Sequence, residues 1–125
     1  MTHHPVAINA LAYELPAEII TSADIEAQLA PTMERLQIGA GLLEGLTGIR
    51  ERRFWPAGTM PSDVATRAAR KVIAKSGVDP HRLGCLISTS VCKDYIEPSV
   101  ASLVHGNLQL PSTCMNFDIG NACLG

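Results

Sequence analysis

Two kinds of apolar spacing divide this sequence. Val6-Ala7-Ile8-Asn9-Ala10-Leu11 is a nearly unbroken apolar run, which predicts a buried first strand, and Pro16 closes the loop behind it. From Pro61-Ser62-Asp63 onward the spacing changes. Val64, Ala65, Ala68, Ala69, Val72 and Ile73 recur at helical intervals with Arg67, Arg70, Lys71 and Lys75 between them. This is an amphipathic helix, with Gly77 as its stop. Cys85-Leu86-Ile87 then predicts a short buried strand ending in the hydroxyls Ser88-Thr89-Ser90. Pro98-Ser99 opens another helix carrying Val100, Leu103, Val104 and Leu108, and Met115 to Asp118 forms the next strand. The order helix, strand, helix, strand predicts α/β layering, a sheet covered by helices.

Between the first strand and the long helix the pattern is less regular. Thr21 with Asp24 three residues on predicts a capping-box-like helix start, with Asp in place of the usual Glu or Gln, for a helix reaching about Leu29. Pro31 restarts a second helical stretch. Gly39, Gly41, Gly45 and Gly48 are read as breaks that leave short turns.

Composition narrows the function classes. The 125 residues, 46% of them hydrophobic, amount to one domain at most with a modest core. The formal charge is −2, from ten basic and twelve acidic residues dispersed along the chain, so no basic face recommends nucleic acid. Cys85, Cys92, Cys114 and Cys123 match neither a paired zinc motif nor a compact disulfide framework. No apolar run is long enough for a membrane span and no signal peptide is recognised, so a reduced, cytoplasmic setting is expected. His3 and His4 are expected to be solvated.

The chemistry concentrates at Met115-Asn116-Phe117-Asp118-Ile119-Gly120-Asn121-Ala122-Cys123-Leu124-Gly125. An apolar strand gives way to small residues and then to a thiol, the pattern of a strand, a tight turn and a helix start. Helix amides at such a turn lower a thiol pKa and stabilise an oxyanion. Free cysteines more often serve as small packing groups, which is the reading for Cys85, Cys92 and Cys114.

Three segments together resemble the thiolase superfamily, and within it the ketoacyl synthase III type: Thr47-Gly48-Ile49-Arg50-Glu51-Arg52-Arg53, the Pro98-Ser99 helix start behind Ser88-Thr89-Ser90, and Phe117-Asp118-Ile119-Gly120-Asn121-Ala122-Cys123. Ser90-Val91-Cys92-Lys93-Asp94-Tyr95-Ile96-Glu97-Pro98-Ser99 and Asn121-Ala122-Cys123-Leu124 are most similar to the OleA-type long-chain acyl-CoA condensing thiolases of bacterial olefin biosynthesis. Two departures from ordinary ketoacyl synthase III fit this. The Trp-x-x-x-Arg pair that grips coenzyme A is here Leu42 and Leu46, and the aromatic before the Pro-Ser helix start is the carboxylate Glu97.

The resemblance implies a catalytic pair. Cys123 is the nucleophile that carries an acyl thioester. Glu97, by default a solvated helix-start acid, is implied to cross a homodimer interface and act as base for the second acyl chain in the neighbour's site. The implied reaction joins two long-chain acyl-CoA molecules by a Claisen condensation without decarboxylation, giving a 2-alkyl-3-keto acid. Coenzyme A arrives on the substrate, and no further cofactor or metal is implied. The thiolase fold stacks two similar halves in αβαβα layers, with a histidine and an asparagine on the second. Residues 1–125 are therefore expected to be the N-terminal portion of the first half, inactive without the remainder. The alternatives are a ketoacyl synthase III, a hydroxymethylglutaryl-CoA synthase, which typically continues Cys-Tyr-Gly rather than Cys-Leu-Gly, or a non-catalytic piece completing a partner's fold.

Other polar residues take structural readings. Arg50 and Arg52 are open between coenzyme A phosphates and surface ion pairs, and Arg53 is read as the latter. Trp55, beside Phe54 and Pro56, is a packing residue, His81 a solvated turn residue and His105 a satisfied structural histidine. Asn121 shapes the nucleophile turn, while Gly120 and Gly125 permit close backbone approach.

Overall fold

A helix start needs acceptors for its free N–H groups, and in this chain the way each start finds them determines much of the architecture. The computed structural model describes residues 6–125; His3 and His4 lie outside the described residues. The chain divides into two compact units, Leu15–Gly58 and the remainder on either side of it.

In the Leu15–Gly58 unit, β1 (Glu18–Thr21) pairs antiparallel with β2 (Glu51–Phe54), Glu18 opposite Phe54 and Thr21 opposite Glu51. Helix α1 (Ser22–Gln28) leaves β1 directly. Its capping box is complete: the Thr21 hydroxyl accepts the Asp24 N–H at 3.0 Å, and the Asp24 carboxylate accepts the Thr21 N–H at 2.9 Å. The Thr21 hydroxyl also donates to that carboxylate at 2.6 Å, and this bond first, then that of the Thr21 N–H, holds the Asp24 carboxyl below the usual aspartate value. Helix α2 (Ala30–Arg35) restarts at Pro31, as the sequence predicts.

Helix α3 (Leu42–Thr47) lies between Gly41 and Gly48, both left-handed at φ 85° and 68°. Those two glycines bound the helix, whereas Gly45 sits inside it, so the four predicted breaks reduce to an irregular approach at Gly39 and Gly41 and a stop at Gly48. Helix α3 has no cap from its own N-cap residue. Glu26 of α1 substitutes, its carboxylate accepting the Gly41 and Leu43 N–H groups, each at 2.7 Å. The Leu43 bond first, then that of Gly41, hold the Glu26 carboxyl below the ordinary glutamate value near 4.5.

Because folding depresses this pKa, the contribution of Glu26 is present above pH ~4.5 and is lost as pH falls through the lower folded value. Glu26→Ala is expected to lower the protection of the Gly41 and Leu43 amides, relative to their intrinsic exchange at the same pH, by roughly ten-fold or more, as is acidification of the unaltered protein. Unchanged protection at these two amides in either experiment contradicts the role.

In the other unit, α4 (Pro61–Ser76) ends at left-handed Gly77, as read from the sequence. Its fully buried residues are Ser62 and Thr66, while the apolar set from Val64 to Ile73 is only half-buried. The polar side of α4 therefore meets α5 (Val100–Asn107): the Asn107 amide donates to the Thr66 hydroxyl at 3.2 Å, and the Arg70 guanidinium donates to the Asn107 carbonyl at 3.0 Å. The core is small and centres on α5, with Val100, Ala101 and Val104 buried beside Leu110 and Cys114.

Strands β3 (Cys85–Ser88) and β4 (Met115–Asp118) pair in parallel, Cys85 opposite Met115 and Ser88 opposite Asp118, with α5 as the crossover. One face of the pair lies toward α5. The other carries Cys85, Ile87, Met115 and Phe117, and all four are exposed. Cys85 is thus not the buried packing group predicted, whereas Cys114 is, at 2% exposure. Val6–Leu11 is likewise no strand: it pairs with no described strand, and Val6 is 97% exposed. An apolar run becomes a strand only where a neighbouring strand accepts its hydrogen bonds.

Candidate active site

In a parallel pair both chains run out at the same edge, and the loops beyond the carboxyl ends are where such sheets bind ligands. The segment after β3 carries Glu97 and the segment after β4 carries Cys123. The ladder extends one step past the strands, Ile119 N–H donating to the Ser88 carbonyl at 2.8 Å, so the two loops separate from a common point.

The chain then turns sharply. Ala122 is held in the left-handed region at φ 46°, a conformation costing a non-glycine residue ~1 to 2 kcal/mol. A single 3-10 turn, Ala122–Leu124, follows and closes with the Leu124 N–H on the Asn121 carbonyl at 2.9 Å. Cys123 sits in this turn with its thiol exposed. Asn121 shapes the turn through its backbone carbonyl rather than its side chain. Gly125 lies against the sheet edge: a Cβ there meets the Ile119 carbonyl oxygen at 3.1 Å and the Thr89 Cβ at 3.5 Å, so the close approach is real. Gly120 has open space around it, and its expected role in close approach is not found.

Glu97 is exposed, precedes Pro98 through a cis peptide, and makes no hydrogen bond or ion pair among the described residues. Behind it, Ser99 caps α5 by accepting the Ser102 N–H at 3.1 Å. Helix α5 has no acid in its first turn. Asp118, the last residue of β4, supplies one, accepting the Val100 and Ala101 N–H groups at 3.0 and 2.8 Å. This ties the helix start behind Glu97 to the strand that leads to Cys123. The sequence reading did not single out Asp118; an acid-free helix start beside a strand ending in Asp was the available signal.

Arg52 and Arg53 are engaged with their own chain. Arg52 donates to the hydroxyl of fully buried Ser22 at 3.1 Å, and that hydroxyl donates to the Ile49 carbonyl at 2.5 Å. Arg53 donates to the Pro16 carbonyl at 3.0 Å rather than to a surface carboxylate. Lys71 forms an ion pair with Glu14. His105 Nε2 lies 3.2 Å from the Pro111 carbonyl, His81 is exposed in its turn, and Trp55 is half-buried. Cys92 is exposed. No group of three His, Cys, Asp or Glu residues able to hold a metal occurs among the described residues.

Helix-covered parallel strands with a cysteine at the turn after the second form the amino-terminal part of a thiolase fold, and the solved structures agree. The chain superposes on Xanthomonas campestris OleA carrying a Glu-to-Asp change with a TM-score of 0.87 and 43% identity, over 94% of this chain and 36% of that one. It superposes equally well on cerulenin-bound OleA, with a TM-score of 0.88 over 93% and 34%.

Within the superfamily the sequence is of the OleA-like kind. It is 43% identical over its whole length to an acyl-CoA:acyl-CoA alkyltransferase of Shewanella oneidensis, of which it covers 36%, and 33% identical to a β-ketoacyl-[acyl-carrier-protein] synthase III of Symbiobacterium thermophilum, again covering 36%. The chain thus spans about a third of the length of the curated relatives it matches. No protein-family model matches it.

Proposed function

We propose that this chain is the amino-terminal portion of the first half-domain of an acyltransferase that condenses two long-chain acyl-CoA molecules without decarboxylation. The observation that carries the reading is the exit of the Cys123 and Glu97 loops from one edge of a parallel strand pair, in a sequence 43% identical throughout to an acyl-CoA:acyl-CoA alkyltransferase. Leu42 and Leu46, where ketoacyl synthase III places Trp and Arg, support the same choice between the two groups.

The chemistry follows from the two side chains. The Cys123 thiolate attacks the thioester carbonyl of the first acyl-CoA, forming a new carbon–sulfur bond and expelling coenzyme A as its thiolate. Glu97 then removes a proton alpha to the thioester of the second acyl-CoA. The carbanion attacks the Cys123 thioester carbonyl, which forms the carbon–carbon bond and releases Cys123. Hydrolysis of the remaining coenzyme A thioester by water leaves the 2-alkyl-3-keto acid. A synthase that decarboxylates malonyl thioesters generates its carbanion by losing carbon dioxide and needs no such base. The free, exposed Glu97 carboxylate fits donation into a neighbouring subunit's site, in a homodimer whose later residues supply the histidine and asparagine. A cytoplasmic location goes with acyl-CoA substrates; among the described residues no helix is long and apolar enough to cross a membrane.

Full-length protein given only a long-chain acyl-CoA is expected to release two coenzyme A molecules per condensed product, measured by thiol titration and product mass. Turnover that requires malonyl-carrier protein and releases carbon dioxide contradicts this in favour of a ketoacyl synthase III. Tight binding of acyl-CoA with no release of coenzyme A identifies a non-catalytic piece.

A further inference from the structure

The segment between β3 and α5 has no regular structure, yet it must hold Glu97 at a fixed place if that residue is a base. One end of it is fixed by Ser99, Val100 and Ala101, as described above. The other end is fixed by Asp94. Its carboxylate accepts the Ser62 N–H at 2.9 Å and the Ser62 hydroxyl at 2.5 Å, in the first turn of α4. Ser62 is 4% exposed, so this foot is set into the body of the unit.

The bond is not explained by the needs of α4 alone. That helix has no side-chain cap from its own N-cap residue, Met60, and takes its acceptor from a position 32 residues later in sequence. A local Ser, Thr or Asp at position 60 caps a helix equally well. Placing the acceptor on the Glu97 segment instead immobilises that segment. Between the two feet stand Tyr95, Ile96, Glu97 and Pro98, all exposed, Ile96 at 92%. With Asp94 in place, Glu97 is three residues from that anchor and two from Ser99, and strays no more than about 10 Å from either. Without it the nearest anchor on the β3 side is Ser88, and the chain between spans up to roughly 30 Å.

We propose that Asp94, held by Ser62, is a positioning residue for Glu97: it touches no substrate and sets where the base reaches. This rests on the reading of Glu97 as the base of the condensation. Misplacing a catalytic group by about an ångström costs as much as 10²-fold, so the effect is confined to the step that uses the base.

The test uses the full-length protein and measures two rates separately, acylation of Cys123 by a long-chain acyl-CoA and formation of condensed product. Asp94→Ala is expected to lower condensation by about 10- to 100-fold while acylation stays within about three-fold. Ser62→Ala, which keeps the backbone N–H for Asp94, is expected to show the same split at smaller size and serves where Asp94→Ala is poorly folded. In a Glu97→Ala background Asp94→Ala is expected to cost condensation nothing further, because there is no base left to misplace. Equal loss of both rates, or losses that multiply in the double variant, overturn the positioning role and leave Asp94 an ordinary helix cap. If Glu97→Ala by itself leaves condensation intact, the reading of Glu97 falls and the positioning role with it. That pattern is distinct, since it appears before Asp94 is altered.

Discussion

In the full-length protein, Glu97→Ala is expected to leave acylation of Cys123 within about three-fold of normal and to depress condensation ~10²- to 10⁴-fold, the range of a lost general base. Acylation needs no alpha proton removed, whereas condensation does. Glu97→Asp is expected to approach the same loss, because a side chain one methylene shorter withdraws the carboxylate by about an ångström. The exposed, unpaired carboxylate makes the trans arrangement testable as well. Mixing Cys123→Ser subunits with Glu97→Ala subunits produces dimers in which one site has both an intact thiol and an intact donated carboxylate. Activity is expected to reappear in the mixture; its failure to do so after verified subunit exchange places Glu97 in its own subunit's site.

Cys123→Ser is expected to abolish both acylation and condensation, by roughly 10³-fold or more, because a hydroxyl is far less ionised than a thiol and far less nucleophilic. The loss in this variant falls on the first chemical step, so it differs in kind from that of Glu97→Ala. Quenched-flow measurement of coenzyme A release separates the two: no burst for Cys123→Ser, a burst of one equivalent without turnover for Glu97→Ala. A full burst from Cys123→Ser contradicts the assignment of the nucleophile.

Elements whose cause is local were legible in the sequence. Thr21 and Asp24 form their capping box, Pro31 and Pro61 open helices, Gly77 ends one, and the strands at Cys85 and Met115 stand where the apolar runs predict. What failed depends on neighbours distant in sequence. Val6–Leu11 has a strand's composition and no strand partner among the described residues. The β1–β2 pair has no apolar run to announce it in Glu51-Arg52-Arg53-Phe54, and only pairing with Glu18–Thr21 makes it a strand. Cys85 alternates correctly with Leu86, but which strand face is covered is decided by where α5 lies, not by the residue.

The candidate site shows the same division. Cys123 and Glu97 were singled out because their immediate neighbours carry a family pattern. Asp118, Asp94 and Glu26 were not, because each acts as the cap of a helix in another part of the chain: α5, α4 and α3 in turn. A carboxylate that caps at a distance has no local signature. The sequence marks only the other half of each pair, a helix start that lacks its own acceptor.

The most direct measurement is to expose the full-length protein to a long-chain acyl-CoA, quench it, digest it and map the acyl group by mass spectrometry. Cys85 and Cys92 are exposed in residues 1–125 as Cys123 is, so they are the thiols against which its labelling is compared. The account predicts the acyl mass on the peptide containing Cys123 and on no other cysteine. Acylation of Cys85, Cys92 or Cys114 with Cys123 unmodified contradicts it.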